Sequence, residues 1–305
     1  VHATEAYDSN VYLTSRGDLA NQRSFVTTAG ISLKAERTFF EAHTFGLSYE
    51  PEAVIYHSEH QEDHVDHVVK ARLEGAVSEW DYALGNSVKY VDGDRNNPIF
   101  LNGDGTAYSP FLAAVQLRDR SEAVVWRQNW KARREYGSWL VEPIYCLYVH
   151  DFQTDTYTQP GRINYVDRWE IKGGLNVGYQ PDGRDFHLLA GYHGGHQHQD
   201  VKLGSNLRYT NNLHRFVVGV RGNLTEWLSV DLLAGPDYRD FTRETAAGFD
   251  DGQVFLYING SATVTLSEAT NLKFRVKRYA QPSYTGGSFY EDISYKASLN
   301  HRFNE

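Results

Sequence analysis

Apolar and polar residues alternate one by one along most of this chain. In the stretch LKFRVKRYA (272–280), Leu272, Phe274 and Val276 alternate with lysines and arginines. A period of two residues places the two sets on opposite faces of a β-strand. The same alternation recurs along the chain, and no window of comparable length has a helical period. The pattern predicts an all-β protein.

The alternating segments predict thirteen strands, and SNVYLTSR (9–16) adds a fourteenth before them. They run to roughly 10–14 residues, whereas strands of globular proteins are usually about 5–6 residues long. A strand that crosses a bilayer at a tilt needs about 9–11 residues, so the lengths favour a membrane protein. The thirteen lie at about 23–36, 39–50, 67–80, 82–91, 122–135, 138–151, 167–180, 186–197, 213–224, 227–239, 253–266, 271–280 and 289–303.

The links between these segments alternate between short and long. Tight turns are predicted at Glu36–Thr38, Trp80–Asp81, Tyr136–Gly137, 181–183, Thr225–Glu226 and Glu268–Thr270, and long polar links at about 50–66, 92–121, 152–166, 198–212, 240–252 and 281–288. This alternation predicts one antiparallel transmembrane β-barrel of about 14 strands, with short periplasmic turns and long external loops. The link 92–121 either folds inward as a constriction or continues the flanking strands above the membrane, and the β-like stretch FLAAVQLRDR favours the second arrangement.

Composition is consistent with membrane crossing by strands. The 305 residues are 41% hydrophobic and 14% aromatic, with 21 tyrosines, yet no apolar run has the length of a membrane-spanning helix. Because Cys146 is the only cysteine, the chain can form neither an internal disulfide nor a cysteine-rich metal site. The chain contains no methionine, and we expect a mature chain that begins at Val1 after removal of a signal peptide.

From Ser9 to Phe303, this pattern resembles bacterial outer-membrane β-barrel proteins of the porin type. The last predicted strand brings aromatic Phe303 close to the end of the chain, before Asn304 and Glu305, and LTEWLSVDLLAGPDYRDF (224–241) is similar to a hairpin of such barrels. The resemblance implies a single barrel domain over 1–305 in the bacterial outer membrane. It also implies a channel for passive diffusion of small solutes.

The predicted inward face of the strands is basic, although the net charge of the chain is −9. A cation-lined lumen lowers the energy of passing anions, which predicts a pore with anion preference. In the alternative, the cations form ladders with Glu74, Glu135 and Glu170 and fill the interior. The alternation places Lys34 and Lys89 on the inward face as well. The proposed pore-lining residues are Lys70, Arg72, Arg127, Lys131, Arg133, Lys172, Arg215, Arg221, Lys273, Arg275, Lys277, Lys296 and Arg302.

Two histidine-rich stretches, HSEHQEDHVDH and YHGGHQHQD, are predicted at the long-loop end. Imidazoles near carboxylates can hold Zn²⁺ or Cu²⁺, but the spacing matches no rigid metal motif, and solvated polar loops explain the same residues. We therefore expect neither a metal site nor a cofactor. The weak metal candidates are His57, His60, His64, His67, His196 and His198.

Other functions remain as alternatives to a channel. A non-conducting barrel could act as a scaffold that binds a partner, and an outer-membrane hydrolase could carry a site at its external mouth. No spacing selects a catalytic set, so we expect no enzyme. A secreted β-sandwich would not account for the long strands. Expected partners are outer-membrane lipid and small hydrophilic solutes, with a homo-oligomer or an envelope protein as further options, and nucleic acid is not expected.

Overall fold

The computed structural model describes residues 1–9, 11, 22–40, 42–92, 122–153, 165–203, 209–242, 252–282 and 289–303. Apart from the 3-10 turn His60–Glu62, their regular structure consists of β-strands. These are β1 (His2–Asp8), β2 (Ser24–Gly30), β3 (Leu33–Phe39), β4 (His43–Tyr56), β5 (His64–Val77), β6 (Trp80–Asp92), β7 (Glu122–Tyr136), β8 (Trp139–Phe152), β9 (Tyr165–Tyr179), β10 (Asp185–Leu203), β11 (Tyr209–Thr225), β12 (Leu228–Thr242), β13 (Gly252–Ser267), β14 (Thr270–Pro282) and β15 (Phe289–His301). No helix within the described ranges is long and apolar enough to cross a membrane.

All the described strands belong to one antiparallel sheet in which strands adjacent in sequence are paired. β2 and β3 both pair with β4, so they act as one long strand interrupted at Ile31 and Ser32. There the ladder continues through a hydrogen bond of 3.2 Å from the Ile31 nitrogen to the Pro51 oxygen. The fifteen described strands therefore occupy fourteen positions, which confirms the predicted number. In the described pairings β1 and β15 are the two ends of the order.

The chain reverses tightly at one end of the sheet and by longer segments at the other. Two-residue connections occur at 78–79, 137–138, 226–227 and 268–269. Ser78 and Gly137, with φ of 54° and 57°, provide the left-handed backbone that such a tight reversal uses. The opposite end carries the segments 57–63, 93–121, 153–164, 204–208, 243–251 and 283–288 between strands. The predicted alternation of short and long connections is confirmed except on the two sides of β10, where the connections 180–184 and 204–208 both have five residues.

Four predicted boundaries were wrong. The turn expected at Trp80–Asp81 lies at 78–79, because Trp80 and Asp81 are already paired with Val77 and Ala76 of β5. The turn expected at Glu36–Thr38 lies at 40–42, because β3 stays paired with β4 as far as Phe39 and the chain reverses at Phe40, whose φ is 50°. The links expected at 50–66 and 198–212 are largely strand, since β4 runs to Tyr56 and β10 to Leu203. Polar residues at these strand ends had resembled loops.

The first described strand precedes the stretch 9–16, where the first strand was predicted. It is β1, at His2–Asp8; of the stretch 9–16 only Ser9 and Val11 are described, neither of them in a strand, and the other residues lie outside the described ranges. β1 pairs with β2, and the Tyr7 and Phe25 rings pack with centroids 5.2 Å apart. The direction of the chain is unchanged, so the alternation of connections still holds. The segment 93–121, which includes the predicted constriction or extension, lies outside the described residues.

The sheet has the inverse of a soluble protein's pattern of exposure. On β9 the apolar side chains of Trp169 and Leu175 are 40% and 45% exposed, whereas Arg168, Glu170 and Asn176 are 7% or less exposed. Strands with an apolar outer face and a polar inner face are typical of membrane barrels. The charged inner face is therefore the face in contact with water, as the alternation predicted.

The polar face is concave, and the sheet curls enough to bring distant strands together. Arg221 on β11 donates a hydrogen bond of 2.6 Å to Glu142 on β8, three strands away. Arg239 on β12 likewise lies close enough to Glu170 on β9 to interact with it electrostatically. These contacts span the concave face, so the sheet has the curvature of a barrel wall around a lumen.

Candidate functional site

The lumen contains a large basic cavity. Its volume is about 1230 Å³, and each of the ten consecutive strands from β5 to β14 contributes lining residues. The acidic residues of the described lining are Glu74 and Glu170. The ten basic residues of the described lining are Lys70, Arg72, Lys89, Arg127, Lys131, Arg168, Lys172, Arg215, Arg239 and Lys277. Basic residues therefore outnumber acidic residues in the described lining.

Strand register brings the central side chains into a row. Arg127 on β7 is opposite Tyr148 on β8, which is in turn opposite Glu170 on β9. Side chains directly opposite one another on the same face of an antiparallel pair are in contact distance. Arg127 and Arg168 lie by the same Tyr148 ring, with the guanidinium carbons 5.2 and 5.1 Å from its centroid. The local alternation therefore builds a basic patch around one buried aromatic ring.

Glu170 is the buried carboxylate of this patch. Arg168 donates a hydrogen bond of 2.9 Å from Nη2 to one Glu170 oxygen, and Lys172 forms an ion pair with the other oxygen. Both partners lie two residues from Glu170 along β9, so all three share the inward face. This arrangement neutralises the carboxylate inside the strand that carries it.

Asp237 on β12 forms the centre of a second network. Arg215 donates a hydrogen bond of 2.6 Å to Asp237 Oδ2, and Arg239 Nε donates one of 3.0 Å to Oδ1. Asp237 is fully buried, and the Arg215 guanidinium stacks 3.7 Å from the centroid of the Tyr257 ring. Buried charges of this kind are stable only when paired, so the network holds both guanidinium groups at the cavity wall.

A third network lies nearer the short-turn end. Glu142 accepts hydrogen bonds from Arg221 at 2.6 Å and from Asn176 at 3.1 Å, and Asn176 Oδ1 is 2.9 Å from His193 Nε2. On the same inner face, four buried apolar side chains pack into a cluster that also contacts Tyr257. These are Leu140, Leu189, Val217 and Leu233. Part of the interior is therefore filled, while the cavity remains open above and beside it.

Ion-pair ladders and a basic cavity thus occur together. Glu170 is paired along its strand as the ladder alternative predicted, and Glu74 and Glu135 also pair within their strands, with Arg72 and Arg133. Four further lining cations are paired with carboxylates outside the lining: Lys70 with Glu50, Lys89 with Asp66, and Arg215 and Arg239 with Asp237. The ten lining cations still outnumber these three carboxylates and the two of the lining, Glu74 and Glu170. The predicted ladders are therefore present at Glu74, Glu135 and Glu170, whereas the anion-preferring pore stays a prediction.

The predicted pore-lining residues divide into two groups. Lys70, Arg72, Arg127, Lys131, Lys172, Arg215 and Lys277 line the cavity. Arg221 faces inward but is held by Glu142, and Arg133 is paired with Glu135. The cavity lining does not include Lys273, Arg275, Lys296 or Arg302.

Sequence reasoning missed two arginines of the lining, Arg168 and Arg239. Arg168 and Glu170 are an even number of residues apart on their strand, and so are Arg239 and Asp231. The alternation therefore placed both arginines on the inward face. Both were omitted because they lie near the predicted ends of their strands. The buried ring of Tyr148 and the partly buried ring of Tyr257 were also missed, since inward tyrosines and lipid-facing tyrosines look alike in a sequence.

The histidines are spread over different elements. His57 follows β4, His60 is in the 3-10 turn, and His64 and His67 are on β5. His198 was expected in a loop but lies on β10 together with His196, and their rings are 6.0 and 5.2 Å from outward-facing Trp169. The described residues contain no group of three or more histidine, cysteine, aspartate or glutamate side chains placed to hold a metal ion. The only cysteine, Cys146, faces the cavity and lies 3.0 Å from Asn129 Oδ1.

Comparison with known proteins gives no family. No family model matches the chain. No curated protein matches it either.

Two solved structures show distant likeness. The ferric yersiniabactin uptake receptor FyuA from Yersinia pestis is 11% identical with a TM-score of 0.37, and the match covers 92% of this chain and 50% of the receptor. The ferric-catecholate import receptor Fiu from E. coli K12 is 10% identical with a TM-score of 0.30, and the match covers 92% of this chain and 63% of the receptor. This chain therefore spans less than two thirds of either receptor. The assignment of the fold rests on the strands, their pairing and the inverted exposure of their faces.

Proposed function

We propose that this protein is an outer-membrane channel for passive diffusion of small hydrophilic solutes, with a preference for anions, and that it has no catalytic role. The observation that carries the proposal is the cavity lining, which has ten basic and two acidic residues in the described part of the chain. Walls of low dielectric constant concentrate the field of lining charges in a cleft. Anions therefore enter such a lumen at lower energy than cations do.

The outer face of the sheet supports a membrane location. Large aromatic side chains are exposed close to the short-turn end, where Trp139, Tyr179 and Trp227 are 53%, 40% and 54% exposed. Tyr192 and Tyr238 are exposed farther up their strands. Aromatic rings at two levels around an apolar outer face are typical of barrels in the bacterial outer membrane.

The proposal is tested by single-channel recording in a planar bilayer with a salt gradient. We expect steady current steps and a reversal potential that favours anions. The variant Lys131→Glu reverses one cavity charge and is expected to reduce the anion preference. Arg184→Glu, an equal charge change in the exposed turn between β9 and β10, is the control and should leave the preference unchanged. A cation-preferring channel would overturn the proposal.

A second candidate function is a non-conducting barrel that acts as a scaffold for a partner. The observation in its favour is the apolar cluster of Leu140, Leu189, Val217 and Leu233, which is buried on the inner face where a wide channel would carry polar groups. A barrel that inserts into vesicles and remains electrically silent would support this candidate instead of the channel.

A further inference from the structure

Arg127 has a buried edge with no hydrogen-bond partner. The side chain is 7% exposed and lines the cavity, and neither Nε nor Nη2 has a partner among the described residues. These two nitrogens carry the parallel N–H groups with which a guanidinium binds both oxygens of a carboxylate or phosphate. An unsatisfied donor edge on a buried charge is costly, and a native structure retains one where a bound ion or ligand supplies the acceptors.

The carboxylate nearest along the row is not available to Arg127. Glu170, two strands away, is bound on one oxygen by Arg168 and on the other by Lys172. The group between Arg127 and Glu170 is the Tyr148 ring, over which Arg127 lies with its guanidinium carbon 5.2 Å from the ring centroid. Tyr148 therefore orients Arg127 through its ring and through a side-chain interaction with its hydroxyl group, and the buried Nε and Nη2 have no hydrogen-bond partner among the described residues.

Further cations converge on the same part of the cavity. Arg127, Lys172 and Arg215 come from β7, β9 and β11, yet all three interact electrostatically with the thiol of Cys146. Arg215 uses Nη2 for Asp237 and, within the described ranges, leaves its buried Nε without a partner. The arrangement thus presents several N–H donors of fixed position to one region of the cavity.

We propose that this region is a binding site for an oxyanion, the phosphate or carboxylate group of a small solute, which Arg127 binds through Nε and Nη2 beside Lys172 and Arg215. The inference rests on the proposed channel function and deepens it by naming the class of solute. A planar two-donor edge matches the spacing of two oxygens on one centre, whereas a halide ion offers a single acceptor. The site therefore selects oxyanions over chloride.

The test is calorimetric titration of the detergent-purified protein with inorganic phosphate and, separately, with sodium acetate, both in a chloride background. We expect saturable binding of at least one oxyanion. Arg127→Gln should weaken it about ten- to a hundred-fold, since it removes a charge-assisted two-donor contact. Arg127→Lys keeps the charge without the two-donor edge and should fall between the wild type and Arg127→Gln. The control, Arg184→Gln in an exposed turn, should bind as the wild type does.

Loss of binding counts only for variants that fold, which is checked by the heat-dependent shift of barrel mobility in gels. No saturable binding of either anion to the wild type would overturn the inference, as would equal affinities of the wild type and a folded Arg127→Gln variant. Conductance is measured independently of this titration. A conducting wild type that binds neither anion would refute only the oxyanion site, and a silent barrel that binds phosphate through Arg127 would refute only the channel.

Discussion

The inverted exposure of the sheet predicts the effect of one charge placed on its outer face. Leu175 lies on β9 with its side chain 45% exposed, on the same face as Trp169 and Tyr179. If that face contacts lipid, the variant Leu175→Arg must place a guanidinium in hydrocarbon. In a soluble sheet the same exposed position would accept arginine with little change.

The depth of Leu175 sets the size of the effect. Trp169 and Tyr179 are ten residues apart on one strand. A rise of about 3.3 Å per residue and a tilt of about 45° give about 23 Å between them along the membrane normal, close to the ~25 Å apolar band of such barrels. Leu175 is four residues from Tyr179 and so lies near the middle of the band. An arginine at this depth costs about 2–4 kcal/mol of folding free energy.

The assay is urea unfolding in phospholipid vesicles, followed by tryptophan fluorescence. The control is Ser261→Arg, which introduces the same side chain on the inner face of β13, opposite Asp231 on β12. We expect the control to change the free energy of unfolding by less than about 1 kcal/mol, because arginines are native to that face. If Leu175→Arg left the free energy of unfolding unchanged while Ser261→Arg lowered it strongly, the assignment of lipid and lumen faces would be refuted.

Two further substitutions test the packing of the interior and the outer wall. Asp237→Asn removes the carboxylate shared by Arg215 and Arg239, and should lower the free energy of unfolding in vesicles by about 3–5 kcal/mol because two buried cations lose their partner; a loss below about 1 kcal/mol would contradict the network. Gly235→Ala would place a Cβ atom 1.9 Å from the Phe216 carbonyl oxygen, so we expect little folded protein by heat-dependent gel mobility. Gly85→Ala, whose Cβ atom would meet nothing closer than 3.8 Å, should fold normally, and equal folded fractions of the two variants would count against the close approach of β11 and β12.

Alternation along the chain was sufficient to predict the fold class, the number of strand positions and the sides of the wall. These features depend on a period of two residues and on connection length, both of which are local. Boundaries were harder to predict, since strands that extend beyond a membrane need no apolar residues. This is why β10 continues through His198 to Leu203, a stretch that had resembled a loop.

The site was predicted less completely than the fold. Parity identified Arg127, Lys172 and Arg215 as inward cations, and all three line the cavity. The alternation of inward and outward residues did not indicate that Arg221 would reach across the lumen to Glu142, or that Glu170 would pair with residues of its own strand. Those partners depend on the curl of the sheet and on side-chain length, which a one-dimensional pattern does not contain.

The central claim, that solutes pass through a basic lumen, is tested most directly at Cys146. This is the only cysteine of the chain, and it lines the cavity. A negatively charged methanethiosulfonate reagent, added during single-channel recording, should modify Cys146, reduce the current and weaken the anion preference, and a Cys146→Ser channel should not respond. A modified Cys146 with unchanged current and reversal potential, or a conducting channel in which Cys146 stays unreacted, would contradict the claim.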